Sequence, residues 1–415
     1  MLWVNALSKR PSLEAAIDEV VEQTTKALPA SPNFGLVFIS SAFASEYSRL
    51  MPLLQERLNL NAIIGCGGGG IVGMNANSQA EEIEGEPALS LSLAHLPGVK
   101  VHPFHLSSEG LPDLDSPPQQ WVDLIGVDPA EQPQFILLVD PFYNRINDLL
   151  QGLDYAYPGS VKVGGLASGG LSNITGVFYA REHYQAQVVG VALSGNLVLE
   201  TIVAQGCRPI GEPYRVTKGE RNIILQLEEE SSSSEFSLSP SGKSLSPLEA
   251  LQELIQYLSE ADRQLAQNSL FIGVVRDEFK QQLEPGDFLI RNLLGVDPRV
   301  GAIAIGDRVR PGQRIQFHLR DAETSKEDLQ ALLTRYQLQH PNSSQLSGSN
   351  AGALMFSCLG RGEGLYGEPN FDSSQFQRYI NIPLSGLFCN GEIGPVGDGT
   401  FLHGYTSVFG IVRQP

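Results

Sequence analysis

The residues best equipped for chemistry cluster near the C-terminus. Phe356-Ser357-Cys358-Leu359-Gly360-Arg361-Gly362-Glu363-Gly364 follows directly on an apolar run. A strand end that opens into glycine turns exposes backbone N–H groups in concave arrangements suited to anions. Arg361, between two glycines, carries a guanidinium able to hold a carboxylate through two hydrogen bonds. The plain alternative is a solvated arginine on an exposed hairpin. Further on, Leu387-Phe388-Cys389-Asn390-Gly391-Glu392-Ile393-Gly394-Pro395 puts one acid in what reads as a rigid turn. Glu392 can take a ligand ammonium, pair with Arg361 or satisfy backbone amides. Cys358 and Cys389 both fall at strand ends, and His403 is the histidine that would activate one of them as a nucleophile. A buried cysteine is more often an inert small hydrophobe, and no local Cys–His arrangement favours the enzyme.

Two glycine runs add to this set. Gly65-Cys66-Gly67-Gly68-Gly69-Gly70 contains the G-x-G-x-x-G spacing after a strand. A dinucleotide site needs a helix to begin there, so that amide dipoles face pyrophosphate. Ile71-Val72-Gly73-Met74-Asn75-Ala76-Asn77-Ser78 has no helical apolar stripe. The glycines therefore read either as places of close backbone approach or as a pocket floor. The second reading is helped by a similar run, Gly164-Gly165-Leu166-Ala167-Ser168-Gly169-Gly170. The candidate ligand-binding residues are thus Gly65, Gly67, Gly164, Gly165, Cys358, Gly360, Arg361, Gly362 and Glu392. His102 and His105 flank Pro103 with no companion ligands, so no metal is expected, and no cofactor.

These residues must be positioned by alternating strands and helices. Ser12 caps a helix carrying Leu13, Ile17, Val20, Val21 and Leu28 on one face. Phe34–Ile39 is a continuous apolar run, the mark of a buried strand. Leu50, Leu53, Leu54 and Leu58 give a second helix, with Pro52 in its first turn or kinking it. Ala62-Ile63-Ile64 is a strand running into the first glycine turn. Roughly 100 residues later the order returns, as an internal duplication would leave it: strand Phe135–Val139, helix face Ile146, Leu149, Leu150, Leu153, then Val161–Val163 and the second glycine run. Each copy continues into alternating, hairpin-like sequence. A weaker third version runs through Ala353–Phe356, Phe376, Tyr379 and Ile380, then Leu387–Cys389.

Around Glu228 to Ser246 the sequence turns to Glu-Glu-Glu, Ser-Ser-Ser-Ser and Ser/Pro/Gly, which reads as a flexible linker or insertion. Ser246-Pro247-Leu248-Glu249 then begins a helix with a capping box and proline at its first position. The expected organisation is an α/β (α+β) chain of two mixed-sheet domains with flanking helices, residues 1–228 and 247–415, joined by 229–246.

Composition bounds the function. Of 415 residues, 42% are apolar, 18% are charged and 43 are glycine, so the chain folds into globular domains. A net charge of −18, from 28 basic and 46 acidic residues without a basic stripe, excludes nucleic acid as the expected partner. No apolar run approaches the ~20 residues that span a bilayer, and the N-terminus has no signal-peptide pattern. Four separated cysteines, Cys66, Cys207, Cys358 and Cys389, fit free thiols in a reducing cytoplasm.

Gly35–Ser40, Ile63–Ile71 and Gly211-Glu212-Pro213-Tyr214-Arg215-Val216-Thr217-Lys218 resemble the N-terminal half of the FIST sensory-domain family. Ser357–Gly362 followed by Gly386–Pro395 is similar to its C-terminal half. The resemblance runs from about Phe34 to about Val412, and the C-terminal motifs are the more specific. FIST domains occur in prokaryotes, often fused to signalling outputs, and in eukaryotic F-box proteins. The resemblance implies a non-enzymatic sensor of a small molecule, amino acids being candidates, with no catalytic residues to carry over. No output module is recognisable here, so the expected partners are a small-molecule ligand and a separate, unidentified signalling protein, with no membrane or nucleic acid. A thiol-dependent enzyme and a ligand-free interaction scaffold are the alternatives.

Overall fold

The computed structural model describes residues 1–169, 174–230, 243–340 and 350–415. Most of the expected Ser-rich linker, residues 231–242, lies outside them, as does Gly170 of the second glycine run. Compactness divides the chain differently from its sequence halves. One unit comprises 1–204 and 329–415, and a second comprises 205–328.

The first unit opens with β1 (Leu2–Ser8), α1 (Leu13–Ala27), β2 (Phe34–Ser40), α2 (Tyr47–Arg57), β3 (Ile63–Gly68), β4 (Gly70–Met74), β5 (Ala80–Glu84) and β6 (Leu89–His95). Ser12 caps α1 by accepting from the Ala15 N–H, and Leu13, Ala16, Ile17 and Val20 face the core. All seven residues of β2 are buried, which is why its apolar run is unbroken. Pro52 falls mid-helix rather than in the first turn of α2.

The order then repeats as β7 (Val99–Ser107), α3 (Pro118–Ile125), β8 (Gln134–Val139), α4 (Ile146–Ala156), β9 (Lys162–Leu166), β10 (Val177–Tyr179), β11 (Glu182–Tyr184) and β12 (Gln187–Gly195). A third round starts with β13 (Val198–Ala204), and here the second unit is inserted.

That unit contains β14 (Cys207–Glu220), β15 (Ile223–Glu229), β16 (Ser244–Leu245), α5 (Pro247–Tyr257), α6 (Glu260–Ala266), β17 (Leu270–Val275), β18 (Phe288–Asp297), β19 (Ala302–Ile305) and β20 (Arg314–Arg320). Its strands are all antiparallel, and because β14 pairs with both β20 and β15 the ladder closes on itself. Ile224, Ile272, Ile303 and Phe317 centre its core. Ser246 and Glu249 form the expected capping box on α5, behind Pro247.

The third round resumes through α7 (Ala322–Gln339), β21 (Gly352–Cys358), α8 (Glu363–Tyr366), α9 (Phe371–Tyr379), β22 (Leu384–Cys389), β23 (Glu392–Val396), β24 (Gly399–His403) and β25 (Ser407–Arg413). The duplication is therefore a triplication. The three sheets of the first unit share one plan: β1-β6-β2-β3-β10-β11, β7-β12-β8-β9-β23-β24 and β13-β25-β21-β22-β4-β5. In each, a parallel pair joined by a helix (β2–β3, β8–β9, β21–β22) is flanked by an antiparallel strand.

Each round also gives its hairpin away. β4–β5 joins the third sheet through β22, β10–β11 joins the first through β3, and β23–β24 joins the second through β9. A hairpin cannot leave its round without stripping a neighbour's sheet of two strands. The glycine runs serve this exchange. Most of their described glycines lie in strands: Gly65–Gly68 within β3, Gly70 at the start of β4, and Gly164 and Gly165 within β9.

Candidate ligand site at the strand ends

The second parallel strand of each round ends at a common place, and backbone hydrogen bonds tie the three ends together. Ser168, just beyond β9, is the link. Its N–H donates to Gly67 O (3.0 Å), its Oγ accepts from Gly69 N (2.7 Å), and its hydroxyl donates to Phe388 O (2.5 Å). One side chain thus touches all three rounds. Leu166 and Asn390–Gly391 exchange a reciprocal pair, Leu166 N to Gly391 O at 2.8 Å and Asn390 N to Leu166 O at 3.0 Å. Asp140, fully buried after β8, accepts from Thr175 Oγ1 at 2.8 Å and from Phe142 N at 3.1 Å.

The candidate glycines are packed against protein. A Cβ on Gly65 would lie 2.2 Å from Val37 O, one on Gly164 1.8 Å from Leu137 O, and one on Gly386 1.9 Å from Met355 O. These are the same place in the three parallel pairs, since Gly65, Gly164 and Gly386 stand opposite Val37, Leu137 and Met355. Gly67 makes room for the Tyr47 ring and Gly165 for Cys389 Sγ. Of the two readings of the glycine runs, close approach accounts for Gly65, Gly67, Gly164 and Gly165 without a ligand.

Two thiols at the hub, Cys389 and Cys66, are pushed toward the protonated form. Cys389 is fully buried, and its thiol donates to Ser357 O (3.4 Å) and Glu392 Oε1 (3.6 Å). Burial pushes it well above the usual thiol range, with Glu392 adding to the effect. Burial raises Cys66 too, and Asp140 adds to it. Cys358 stands beside Cys389 in the β21–β22 register and is partly exposed. His403 Nε2 bonds Gly394 O at 3.1 Å, and His403 pairs with Glu392 across β23–β24.

The two charged anchors are placed differently from expectation. Arg361 is 1% exposed, and its fork meets Asp372 with Nε–Oδ2 at 2.7 Å and Nη2–Oδ1 at 2.9 Å. It is neither a solvated hairpin arginine nor paired with Glu392; the carboxylate it holds belongs to the chain. Tyr366 donates to Asp372 Oδ1 at 2.8 Å, and its ring lies 5.6 Å from the guanidinium carbon. Gly362 has φ +66° and its Cα lies against Glu84, a position closed to any side chain. Glu392 begins β23 rather than a turn, and its Oε2 accepts from Thr406 N at 3.0 Å, as one of its readings had it. Arg361 and Glu392 each lie three positions from the Cys358–Cys389 pair, each with its own partners. Gly360 N faces Cys358 Sγ at 3.5 Å.

Three residues escaped the sequence reading. Ser168 sat inside a run read for its glycines. Asp140 and Asp372 had no local signal, because their roles come from partners on other elements. No group of three or more His, Cys, Asp or Glu positioned to hold a metal occurs among the described residues.

The FIST N domain matches residues 33–230 and the FIST C domain residues 247–395. This chain belongs to the FIST family. FIST domains are sensory domains, and the two domains between them account for most of the chain. An uncharacterized protein of Mycobacterium tuberculosis is 32% identical over 404 residues, 97% of this chain and 97% of its own. An F-box/LRR-repeat protein of Arabidopsis thaliana is 24% identical over 469 residues, 99% of this chain and 85% of the plant protein. Among solved structures, cyanuric acid hydrolase from A. caulinodans spans 100% of this chain and 99% of its own at a TM-score of 0.31 and 10% identity, a likeness that carries no argument. No helix among the described residues is long and apolar enough to cross a membrane.

Proposed function

We propose that this FIST protein is a non-enzymatic sensor that binds a small polar metabolite where its three strand ends meet, and that it signals through a separate protein in the cytoplasm. The observation that carries the reading is the convergence of β3, β9 and β22 on Ser168. A site built on backbone groups from three rounds of one chain is rigid and rich in fixed dipoles, the qualities of a small-molecule site. Cys358, Gly360 and Asn390 form its accessible margin. Arg361 and Glu392 shape that margin, Arg361 through Asp372 and Glu392 through Thr406.

Thiol catalysis at Cys389 is disfavoured, because burial and the neighbouring Glu392 hold its thiol in the protonated form; Cys358, partly exposed, is the thiol that Cys358→Ser would test. The test is a thermal-shift screen of the full chain against polar metabolites, beginning with the common amino acids. A true ligand at about 100 times its dissociation constant adds about 2.7 kcal/mol of stability. Binding should be weakened by Asn390→Ala and left alone by Gly110→Ala. A screen in which nothing raises the melting temperature would favour the ligand-free scaffold.

A further inference from the structure

The C-terminal motif that carries Arg361 is fastened to a hairpin from the far end of the chain. β5 is the edge strand of its sheet, yet two of its N–H groups are taken up by side chains of the C-terminal segment. Glu82 N donates to Asn370 Oδ1 (2.6 Å) and Ala80 N to Gln377 Oε1 (2.9 Å). Glu82 itself reaches back, its Oε1 accepting from Ser373 N in the first turn of α9 at 2.6 Å.

Glu82 is only 5% exposed, and its Oε2 has no hydrogen-bond partner among the described residues. The charges around it are acidic: Asp372 from α9 and Glu84 from its own strand. Tyr366 also faces it, and Arg361 stands behind Asp372. On β4 the residue opposite is Val72, which offers no charge. The Arg361 guanidinium beside Asp372 gives its Nε and Nη2 to that carboxylate. A second buried carboxylate here would be offset by the Ser373 N–H but by no paired cation among the described residues, and such a charge is disfavoured.

We propose that Glu82 is a proton-operated latch, its neutral carboxyl clamping the Leu359–Asn370 segment and α9 onto the β5 hairpin, and its ionisation loosening that clamp. Loss of the proton to solvent places a negative charge between Asp372 and Glu84. The cheapest relief is for the segment bearing Asp372 to move away, taking Asn370 and Gln377 off the β5 edge. Burial, then Asp372, push the Glu82 pKa well above the usual carboxylate range. A raised carboxyl favours the folded state below the unfolded value and loses that advantage as pH rises through the folded one. The latch is thus closed at low pH and opens as pH rises through the raised Glu82 value. The segment follows Cys358, so a latch there would tune access to the site; that consequence rests on the sensor reading, whereas the latch does not.

Carbon-13 NMR of the full chain labelled at glutamate carboxyls, with Glu82→Gln to assign the signal, gives the titration directly. A midpoint above 7 supports the latch, and one below 5 overturns it. Hydrogen exchange of residues 359–373 at pH 6 and 9, corrected for intrinsic chemistry, reads the opening. Protection should fall at least tenfold in the wild type and stay level in Glu82→Gln; equal loss in both overturns the proposal. Should Glu82→Gln fail to fold, Glu82→Asp assigns the signal by its disappearance, and the wild-type midpoint decides by the same limits.

Discussion

Gly164→Ala is the substitution whose cost the fold defines most closely. The added methyl would sit 1.8 Å from Leu137 O, and the atom in its way is backbone on the paired strand β8. Real Cβ contacts essentially never fall under 3.0 Å, so the two strands must separate by more than an ångström. Their ordinary spacing is about 4.8 Å, and the hydrogen bonds between them tolerate little stretching. Overpacking against movable side chains costs about 1–3 kcal/mol, and a carbonyl on a buried strand cannot rotate away, so the upper end, about 3 kcal/mol, applies. At roughly 2–4 °C per kcal/mol for a domain of this size class, the melting temperature falls by about 6–12 °C. Differential scanning calorimetry at one scan rate, against Gly110→Ala, which has nothing within 4 Å of its added methyl, measures this. Gly65→Ala and Gly386→Ala should behave alike, as the same position in the other two parallel pairs. A Gly164→Ala protein that melts with the Gly110→Ala control would refute the close-approach argument and return these glycines to the ligand.

Three further outcomes follow from the hub and its flank. Ser168→Ala leaves Gly69 N and Phe388 O without their shared partner, so urea unfolding should show a loss of about 1–3 kcal/mol, while an unchanged midpoint would deny the link. Arg361→Ala strands the buried Asp372 carboxylate, and destabilisation of about 3–5 kcal/mol in guanidinium melts is expected; a fold as stable as wild type would mean that Asp372 is not charged there. Iodoacetamide at pH 8 should modify Cys358 at least tenfold faster than Cys66 or Cys389, as followed by peptide mass mapping, and early labelling of Cys389 in folded protein would contradict its burial.

Features under local physical control were legible in the residue pattern. The unbroken apolar runs at Phe34–Ile39 and Phe135–Val139 became fully interior strands because burial on both faces leaves no polar positions. Ser12 and Ser246 capped the helices that their spacing announced. The recurrence of strand, helix and glycine run disclosed a repeat, since identical local units need identical patterns. Tertiary structure alone decided the rest. That β4–β5, β10–β11 and β23–β24 are traded around the three sheets cannot be read from a hairpin's own residues, because any exposed strand edge offers the same hydrogen bonds. That Arg361 answers to Asp372 rather than Glu392, and that Glu82 has no cation partner among the described residues, likewise depends on which elements meet. Local pattern sets which residues are buried; the register between distant strands sets which buried charges find each other.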